Sequence, residues 1–470
     1  MQENKLVLLM KSFSTSELGD LKDFVYSPYH NKSDLVKRLF DYLYKTAPRF
    51  LHTRLKKELI WQKVFKGESY NDVRMRKVAS NLYKVCLDFL AVHQLKQEVV
   101  QQKLLHLQYL REHKLEKHFG GAVKQLNNHI EANPKESIYS FYERFCLEYE
   151  VSLNIGQKQN RAKDPNLQKI SDHLDAFYLI NKLKACCQII NYQNLMTSDY
   201  HIPLMTEVLA FLEKNDFSHI PMIAFYHNAL LSLQSPDMDQ YFFNIKSILK
   251  EHYDSFAEIE WVDMIVLAKN YCIRKANKGN KQFLEELFDL YLLEIESLRK
   301  QNLGYLSPFT YKNIVTLGIR LNKFDWTEDF LKDYKELLSE EFRNSVYSFN
   351  LSRLYFSQQK FSEIISLLLQ VDHDELFMEL DSKVLLMRTY YELEEFDTLY
   401  SFLESFSMFL RRKDSINYHR KSYKNLINAI RKLVRLSDGD AAKINVFKNK
   451  IENEKELIEK AWVLDKISKL

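Results

Sequence analysis

Hydrophobic residues recur every three or four positions along almost the whole chain, which is the spacing of one face of an α-helix. The segment 69–90 shows this pattern, because Val78, Leu82, Val85 and Phe89 fall on one side of a helix. The periodicity predicts an all-α protein.

Polar residues mark where several of these helices begin. Ser14 followed by Glu17 has the pattern of a capping box, in which the serine accepts from a first-turn amide and the glutamate reaches back. Asn31 or Ser33 is placed to cap the next helix. These signals predict separate short helices at the start of the chain.

Other residues indicate where helices end. The pair Gly120–Gly121 is predicted to separate two helices, and the polar segment 154–166 is predicted to form a surface loop. Residues 441–467 carry an apolar stripe and a Lys/Glu-rich polar face, so they are predicted to form one final helix.

From about residue 167 the pattern repeats two helices at a time. Tyr355 precedes Phe361 by six residues and Tyr390 precedes Phe396 by six, so the pairs are 35 residues apart. Phe324 lies 37 residues before Phe361 and extends the series upstream. A period that drifts between 34 and 42 residues is typical of stacked helical hairpins.

These aromatic positions resemble a degenerate tetratricopeptide-like array over roughly residues 165–410. The sequence departs from that family at its small residues, since Ser352 and Met387 stand where the first helix has Gly or Ala. The resemblance implies an α-solenoid of stacked antiparallel hairpins, curved into a right-handed superhelix. The layout is also similar to that of bacterial helical-repeat proteins.

Together these patterns predict three regions. Residues 1–130 form an N-terminal helical bundle that is basic at 49–84, residues 131–410 form the hairpin array, and residues 411–470 form C-terminal capping helices. Terminal repeats of a solenoid need one solvated face, which the charged final segment supplies.

Composition and motifs argue against catalysis. Only 9 glycines and 8 prolines occur in 470 residues, and no Gly-rich phosphate loop, HExxH zinc motif or GxSxG nucleophile motif is present. His106 and His113 lie seven residues apart, but a partly exposed histidine pair is more often structural than metal-ligating. We therefore expect no enzyme activity, no cofactor and no metal.

Basic residues are concentrated in 49–84, where ten Lys/Arg face three acids. The candidate nucleic-acid or anion contacts within this region lie on two successive predicted helices: Lys56, Lys57, Arg74, Arg76 and Lys77. Helix, turn and basic helix is the order in which a helix-turn-helix presents its second helix to the major groove. No β-hairpin wing follows, however, and a solvated edge of a helical bundle explains the same residues.

Acidic residues are concentrated in 363–404, where eleven acids face two basic residues. The candidate partner-binding residues lie between the two helices of one predicted hairpin: Glu394, Glu395 and Asp397. A charged block of this kind marks either a partner surface or a solvated face.

The sequence as a whole predicts a non-catalytic protein–protein interaction scaffold or adaptor. The alternative is a nucleic-acid-binding regulator that uses 49–84, with the repeats as a sensing or oligomerising module.

Five scattered cysteines without a CxxC pair are typical of a reducing compartment. No apolar run approaches the ~18 residues of a membrane span. We expect a cytoplasmic protein without membrane insertion.

Overall fold

The computed structural model shows a chain built almost wholly of α-helices. It describes residues 4–47, 50, 52–157, 166–195, 199–301, 306–369, 371, 376–412, 420–436 and 441–470. Within these ranges there are 23 α-helices and no β-strand, and the sheet-like pairing is an isolated bridge between Glu136 and Phe256. The predicted all-α class is therefore confirmed.

The chain forms two compact units. Unit 1 comprises Met1–Leu230 and Ser255–Glu260, and unit 2 comprises Leu231–Asp254 and Trp261–Leu470. The division of the sequence at residues 130 and 410 stays a prediction.

The helices that begin before residue 230 are α1 (Lys5–Lys11), α2 (Thr15–Tyr26), α3 (Asp34–Tyr44), α4 (Lys57–Val64), α5 (Asp72–Gln97), α6 (Val99–Glu112), α7 (Glu116–Ala132), α8 (Ile138–Gln157), α9 (Leu167–Leu195), α10 (Met205–Lys214) and α11 (Pro221–Gln234). The later helices are α12 (Gln240–His252), α13 (Glu258–Asn277), α14 (Gln282–Gln301), α15 (Pro308–Arg320), α16 (Phe324–Asp333), α17 (Arg343–Ser357), α18 (Phe361–Leu368), α19 (Leu376–Glu392), α20 (Phe396–Arg412), α21 (Arg420–Leu436), α22 (Ala441–Asn453) and α23 (Lys460–Ile467).

The predicted helix starts in unit 1 are confirmed. Ser14 Oγ accepts from the amide of Glu17 at 3.2 Å, and the Glu17 carboxylate accepts from the Ser14 amide at 2.7 Å. Ser33, rather than Asn31, caps α3, while the Asn31 side chain donates to the Val25 carbonyl at 2.9 Å. Polar side chains therefore satisfy the amides that each new helix leaves unpaired.

The first five helices share one hydrophobic core. The apolar seam of α5 is buried at Val78, Leu82, Val85 and Phe89, as its spacing predicts. These residues pack in one cluster with apolar side chains of α1 to α4. This core fixes which face of α5 points inward. The first turns of α5 carry several of the predicted basic residues.

Two predicted breaks differ from the structure. The prediction at Gly120–Gly121 is wrong, because both glycines lie inside α7, where a Cβ would meet nothing from outside the local helix within 4 Å. Glycine weakens a helix but does not end one that is held by packing, and α7 packs against α6. Of the predicted loop 154–166, residues up to Gln157 belong to α8, and 158–165 lie outside the described residues.

Three hairpins of unit 2 turn in the same way. The residue two positions before the second helix has a left-handed backbone in each: Asn322 (φ 56°), Gln359 (φ 60°) and Glu394 (φ 57°). The next amide donates to the carbonyl five residues earlier, from Lys323 to Gly318 at 2.9 Å, from Lys360 to Tyr355 at 2.9 Å and from Glu395 to Tyr390 at 3.0 Å. The repeat predicted from Phe324, Phe361 and Phe396 is therefore a structural repeat.

Neighbouring helices of this repeat pack against one another. The hairpins α15–α16, α17–α18 and α19–α20 each bring their two helices into contact, and the first helices α15, α17 and α19 also contact in succession. Tyr355 and Phe361 are partly buried against a core that includes Ile364 and Leu368. These two repeat aromatics therefore contribute to the core of their hairpin, as they do in a solenoid.

The prediction of a single final helix is wrong. The segment 441–467 forms two helices, α22 and α23, and Glu459 (φ 52°) lies directly before the second. Backbone carbonyls in the break accept from side chains, because Asn425 donates to the Glu456 carbonyl at 2.8 Å and Lys460 to the Glu454 carbonyl at 3.1 Å. Tertiary contacts thus interrupt a continuous amphipathic pattern.

The hairpin α15–α16 closes tightly at Gly318. A Cβ at this position would lie 2.2 Å from Oγ1 of Thr327, which is fully buried. We expect Gly318→Ala to lower the midpoint of thermal unfolding, since overpacking costs about 1–3 kcal/mol. Differential scanning calorimetry measures the effect.

Two further variants make this test specific. Gly318→Ala combined with Thr327→Ala removes the colliding hydroxyl and should recover part of the loss. Gly120→Ala, in an open helical position, should leave the midpoint unchanged or raise it, because alanine is the better helix former. A Gly318→Ala protein as stable as the wild type contradicts the close approach.

Candidate binding surfaces

The predicted basic residues lie around the start of α5 in unit 1. Asn71 caps this helix by accepting from the amide of Arg74 at 3.0 Å, which places Arg74, Arg76 and Lys77 in its first turns. Lys56 and Lys57 lie at the start of α4. The five residues Lys56, Lys57, Arg74, Arg76 and Lys77 are called the basic edge from here on.

Carboxylates of the same unit neutralise much of the basic edge. Asp72 pairs with Lys57 Nζ at 2.8 Å and with Arg76, and it also accepts from the Tyr70 hydroxyl at 2.8 Å. Arg74 pairs with Glu68 and lies 5.1 Å from the centre of the Phe65 ring. Three of the five cations are therefore already engaged.

Lys56 and Lys77 differ from the other three. Both are exposed, and neither forms an ion pair with any carboxylate in the described part of the chain. Their ammonium groups are the cations of the basic edge that face solvent uncompensated. The count of charges in 49–84 thus overstates the positive potential that the surface presents.

The hydrogen bond from Lys57 holds the pKa of Asp72 well below its usual range, and the bonds from Tyr70 and Arg76 act in the same direction. Asp72 also lies in the first turn of α5, where a negative charge is favourable. Asp72 therefore stays ionised through acidic conditions and keeps the cations around it paired.

The predicted acidic residues lie in the turn between α19 and α20 of unit 2 and at the start of α20. Glu394, Glu395 and Asp397 are all exposed, and their carboxylates form no ion pair within the described ranges. Glu394 is the residue at positive φ, and Asp397 lies in the first turn of α20. This acidic turn presents three unpaired carboxylates to solvent.

A third group of charges, which the sequence analysis missed, lines a cleft of about 300 Å³ in unit 2. We call it the arginine cleft. It is formed by α15, α17, α19 and the residue before α23, and its charged side chains are Lys312, Arg353, Asp381, Arg388 and Glu459. Three cations and two carboxylates leave one net positive charge.

Arg353 has neutral partners in this cleft. Its Nη1 donates to Oγ1 of Thr316 at 3.0 Å and to Oδ1 of Asn350 at 3.4 Å, and no carboxylate of the described residues forms an ion pair with it. Burial lowers the pKa of its guanidinium, and the positive charge of the neighbouring Arg388 lowers it further. The negative charges of Asp381 and Glu459 act in the opposite direction. Arg353 is thus a partly buried cation without a direct counterion.

Arg388 is held between aromatic rings and one carboxylate. Its guanidinium lies 4.2 Å from the ring centre of Phe356 and 5.3 Å from that of Trp462. Nη1 donates to Glu459 at 2.8 Å, while Nε is buried and has no hydrogen-bond partner among the residues described. Burial lowers the pKa of this guanidinium as well.

The repeat period is the signal that could have found this cleft. Arg353 and Arg388 are 35 residues apart, and Thr316 lies 37 residues before Arg353, so the three occupy the same position in successive hairpins. Stacked first helices bring such positions side by side.

The histidines and cysteines of the described residues do not assemble into a metal site. No group of three or more His, Cys, Asp or Glu side chains lies close enough to hold an ion there. His113 bonds to the Tyr109 carbonyl at 2.9 Å and stacks on its ring, whereas His106 lines a separate cleft of about 480 Å³ with His118. Burial raises the pKa of the Cys86 thiol to about 12, so it stays protonated.

Comparison with known proteins gives no relative: no protein-family model, no curated protein and no solved structure matches this chain. Among the described helices none is both long and apolar enough to cross a membrane.

Asp72→Asn tests the pairing at the basic edge. We expect it to lower the midpoint of thermal unfolding near pH 7, because Lys57 and Arg76 lose their shared carboxylate. The pKa of Asp72 is lower in the folded protein than in the unfolded chain. The extra stability of the wild type is therefore complete when the pH lies above the unfolded-state pKa, and it is lost as the pH falls through the folded-state pKa. Midpoints measured between about pH 7 and about pH 2 follow this change.

Asp88→Asn on the same helix is the matched control. Asp88 is exposed and forms no ion pair with any other described residue, so its replacement should leave the midpoint unchanged. A difference between wild type and Asp72→Asn that does not vary with pH contradicts the assigned pairing.

Proposed function

We propose that this protein is a non-catalytic scaffold or adaptor of the cytoplasm, built on tetratricopeptide-like repeats of the kind that bacterial helical-repeat proteins contain. The observation that supports this proposal is the recurrence of one turn at Asn322, Gln359 and Glu394. Equivalent hairpins stack their first helices side by side, and repeat proteins use the extended surface formed in this way to bind partners.

The acidic turn is a partner-binding surface in this proposal. Its three carboxylates project into solvent and have no counterion in the described residues, so they are available to a basic surface of another protein. Complementary charge of this kind guides association and selects the partner.

Charge reversal tests the acidic turn. We expect Glu394→Lys, Glu395→Lys and Asp397→Lys, made together, to weaken capture of a protein partner at least about tenfold, because opposed charges then repel. The partner is captured from the native cytosol on tagged full-length protein, identified, purified and titrated against both forms. Nuclease treatment of the cytosol removes partners that are held through nucleic acid.

A second triple variant, Asp329→Lys, Glu340→Lys and Glu341→Lys, serves as the control. It makes the same change in net charge at exposed positions of unit 2 outside the acidic turn. If both variants lose the same amount of partner affinity, the effect is due to overall charge rather than to the acidic turn. If the first variant captures the partner as well as the wild type does, the acidic turn is only a solvated face.

The alternative function is nucleic-acid binding through the basic edge, and the exposed, uncompensated Lys56 and Lys77 favour it. The logarithm of affinity falls by about 0.9 per phosphate contact for each unit of log salt concentration. Because Lys57, Arg74 and Arg76 are engaged with carboxylates, this alternative predicts a slope of only about −2 on duplex DNA.

Filter binding of a labelled duplex over a range of salt measures this slope. The double variant Lys56→Gln with Lys77→Gln should then abolish the dependence of DNA affinity on salt concentration. The charge-matched control outside the basic edge is Lys45→Gln with Lys96→Gln. A slope far steeper than −2 means that the ion pairs with Asp72 and Glu68 open on binding.

A further inference from the structure

The arginine cleft contains positive charge that the protein itself does not balance. Arg353 is partly buried, and its direct partners are a hydroxyl and an amide, neither of which carries a counter-charge. Removing a charge from water without a counterion is expensive, so an anion that enters the cleft relieves an existing penalty. The site is therefore predisposed to take up negative charge.

Unused hydrogen-bond donors indicate the shape of that anion. A guanidinium has five N–H donors in a planar fork. Arg353 uses only Nη1 toward described residues, and Arg388 leaves a buried Nε without a partner. A carboxylate accepts two parallel bonds from such a fork, which makes it the best geometric match among common protein groups.

The cleft already holds one carboxylate of its own chain, which is bound through a single hydrogen bond from Arg388. Glu459 is the left-handed residue that precedes α23, and its carboxylate accepts from Arg388 Nη1 at 2.8 Å. Its side chain nevertheless remains 38% exposed. It makes no capping bond to α23 that would hold it there. Glu459 thus occupies one edge of the cleft as a weakly held internal ligand.

The surroundings of the cleft favour a peptide side chain over a larger molecule. A volume of about 300 Å³ is at the lower limit of small-molecule pockets. Phe349 and Phe356 form apolar walls that hold the guanidinium planes in place through cation–π contact. One or two acidic side chains fill this space.

Building on the proposed scaffold function, we infer that the arginine cleft binds a carboxylate-bearing, acidic segment of the protein partner, and that Glu459 competes with this segment for Arg388. The partner segment accepts from Arg353 and from the donors of Arg388 that Glu459 leaves unused. Binding displaces the Glu459 carboxylate into solvent, where it is already partly exposed.

A labelled hexaglutamate peptide is the probe, titrated onto the full-length chain by fluorescence anisotropy at low ionic strength, where charge-assisted contacts are strongest. We expect Arg353→Gln and Arg388→Gln each to weaken binding at least about tenfold, the effect of losing a hydrogen bond to a charged group. Arg412→Gln, at an exposed position outside the cleft, should bind as the wild type does.

Glu459→Gln tests the competition and gives a gain rather than a loss. It removes a partly exposed ion pair, so the peptide should bind about two- to fivefold more tightly. A misfolded protein does not show such a gain, and circular dichroism with the unfolding midpoint verifies the fold of the arginine variants. Unchanged affinity in Glu459→Gln overturns the role of Glu459 as a competitor.

Two further arms separate the outcomes. A hexaglutamine peptide should not bind. A labelled single-stranded oligonucleotide that binds as well as hexaglutamate, and in the same arginine-dependent way, shows that the cleft selects negative charge rather than carboxylates, which overturns the inference. If neither the wild type nor Glu459→Gln binds hexaglutamate, the cleft is not an acidic-peptide site.

The scaffold proposal is tested separately by capture of the purified protein partner. If Arg353→Gln with Arg388→Gln leaves that capture unchanged, the inference about the cleft is wrong while the scaffold proposal stands. If no protein partner is captured although hexaglutamate binding depends on both arginines, the scaffold proposal fails and the carboxylate chemistry of the cleft stands.

Discussion

Three hairpins of unit 2 depend on one backbone constraint, a residue held at positive φ where the first helix of each pair ends. Asn322, Gln359 and Glu394 occupy this position, and a left-handed conformation costs about 1–2 kcal/mol for residues other than glycine. Two backbone hydrogen bonds to the last carbonyls of the helix offset that cost. In two of the hairpins, Phe361 and Phe396 then start the second helix with their rings edge-on to Phe356 and Tyr391 of the first.

The first helices of these hairpins also lie side by side in succession. Side chains 35 to 37 residues apart in sequence become neighbours, as the hydrogen bond from Arg353 to Thr316 shows directly. The same stacking places Arg388 in the cleft that Arg353 lines. The charge of the cleft is thus a consequence of the repeat, and a single hairpin could not assemble it.

Local features of the structure could be predicted from the sequence, whereas features that depend on distant contacts could not. The capping box at Ser14 involves residues three positions apart, so the sequence contains all of it. The effect of Gly120–Gly121 depends on whether packing holds α7 together, which the local pattern does not report. For the basic edge, the number of cations was evident, but their pairing with Asp72 and Glu68 required the fold.

The end of the chain shows why amphipathic periodicity alone does not determine where a helix stops. Residues 441–467 carry one apolar stripe, yet Asn425 and Lys460 donate to two carbonyls in the break between α22 and α23 and so lower the penalty for interrupting the helix. The break reorients α23, whose Trp462 and Lys466 both donate to the Glu392 carboxylate of α19, at 2.8 and 2.6 Å. A continuous helix would keep the phase of α22, and the left-handed Glu459 changes that phase. Glu459, the left-handed residue at the end of the break, therefore also brings a carboxylate to Arg388, which connects the C-terminal packing to the occupancy of the arginine cleft.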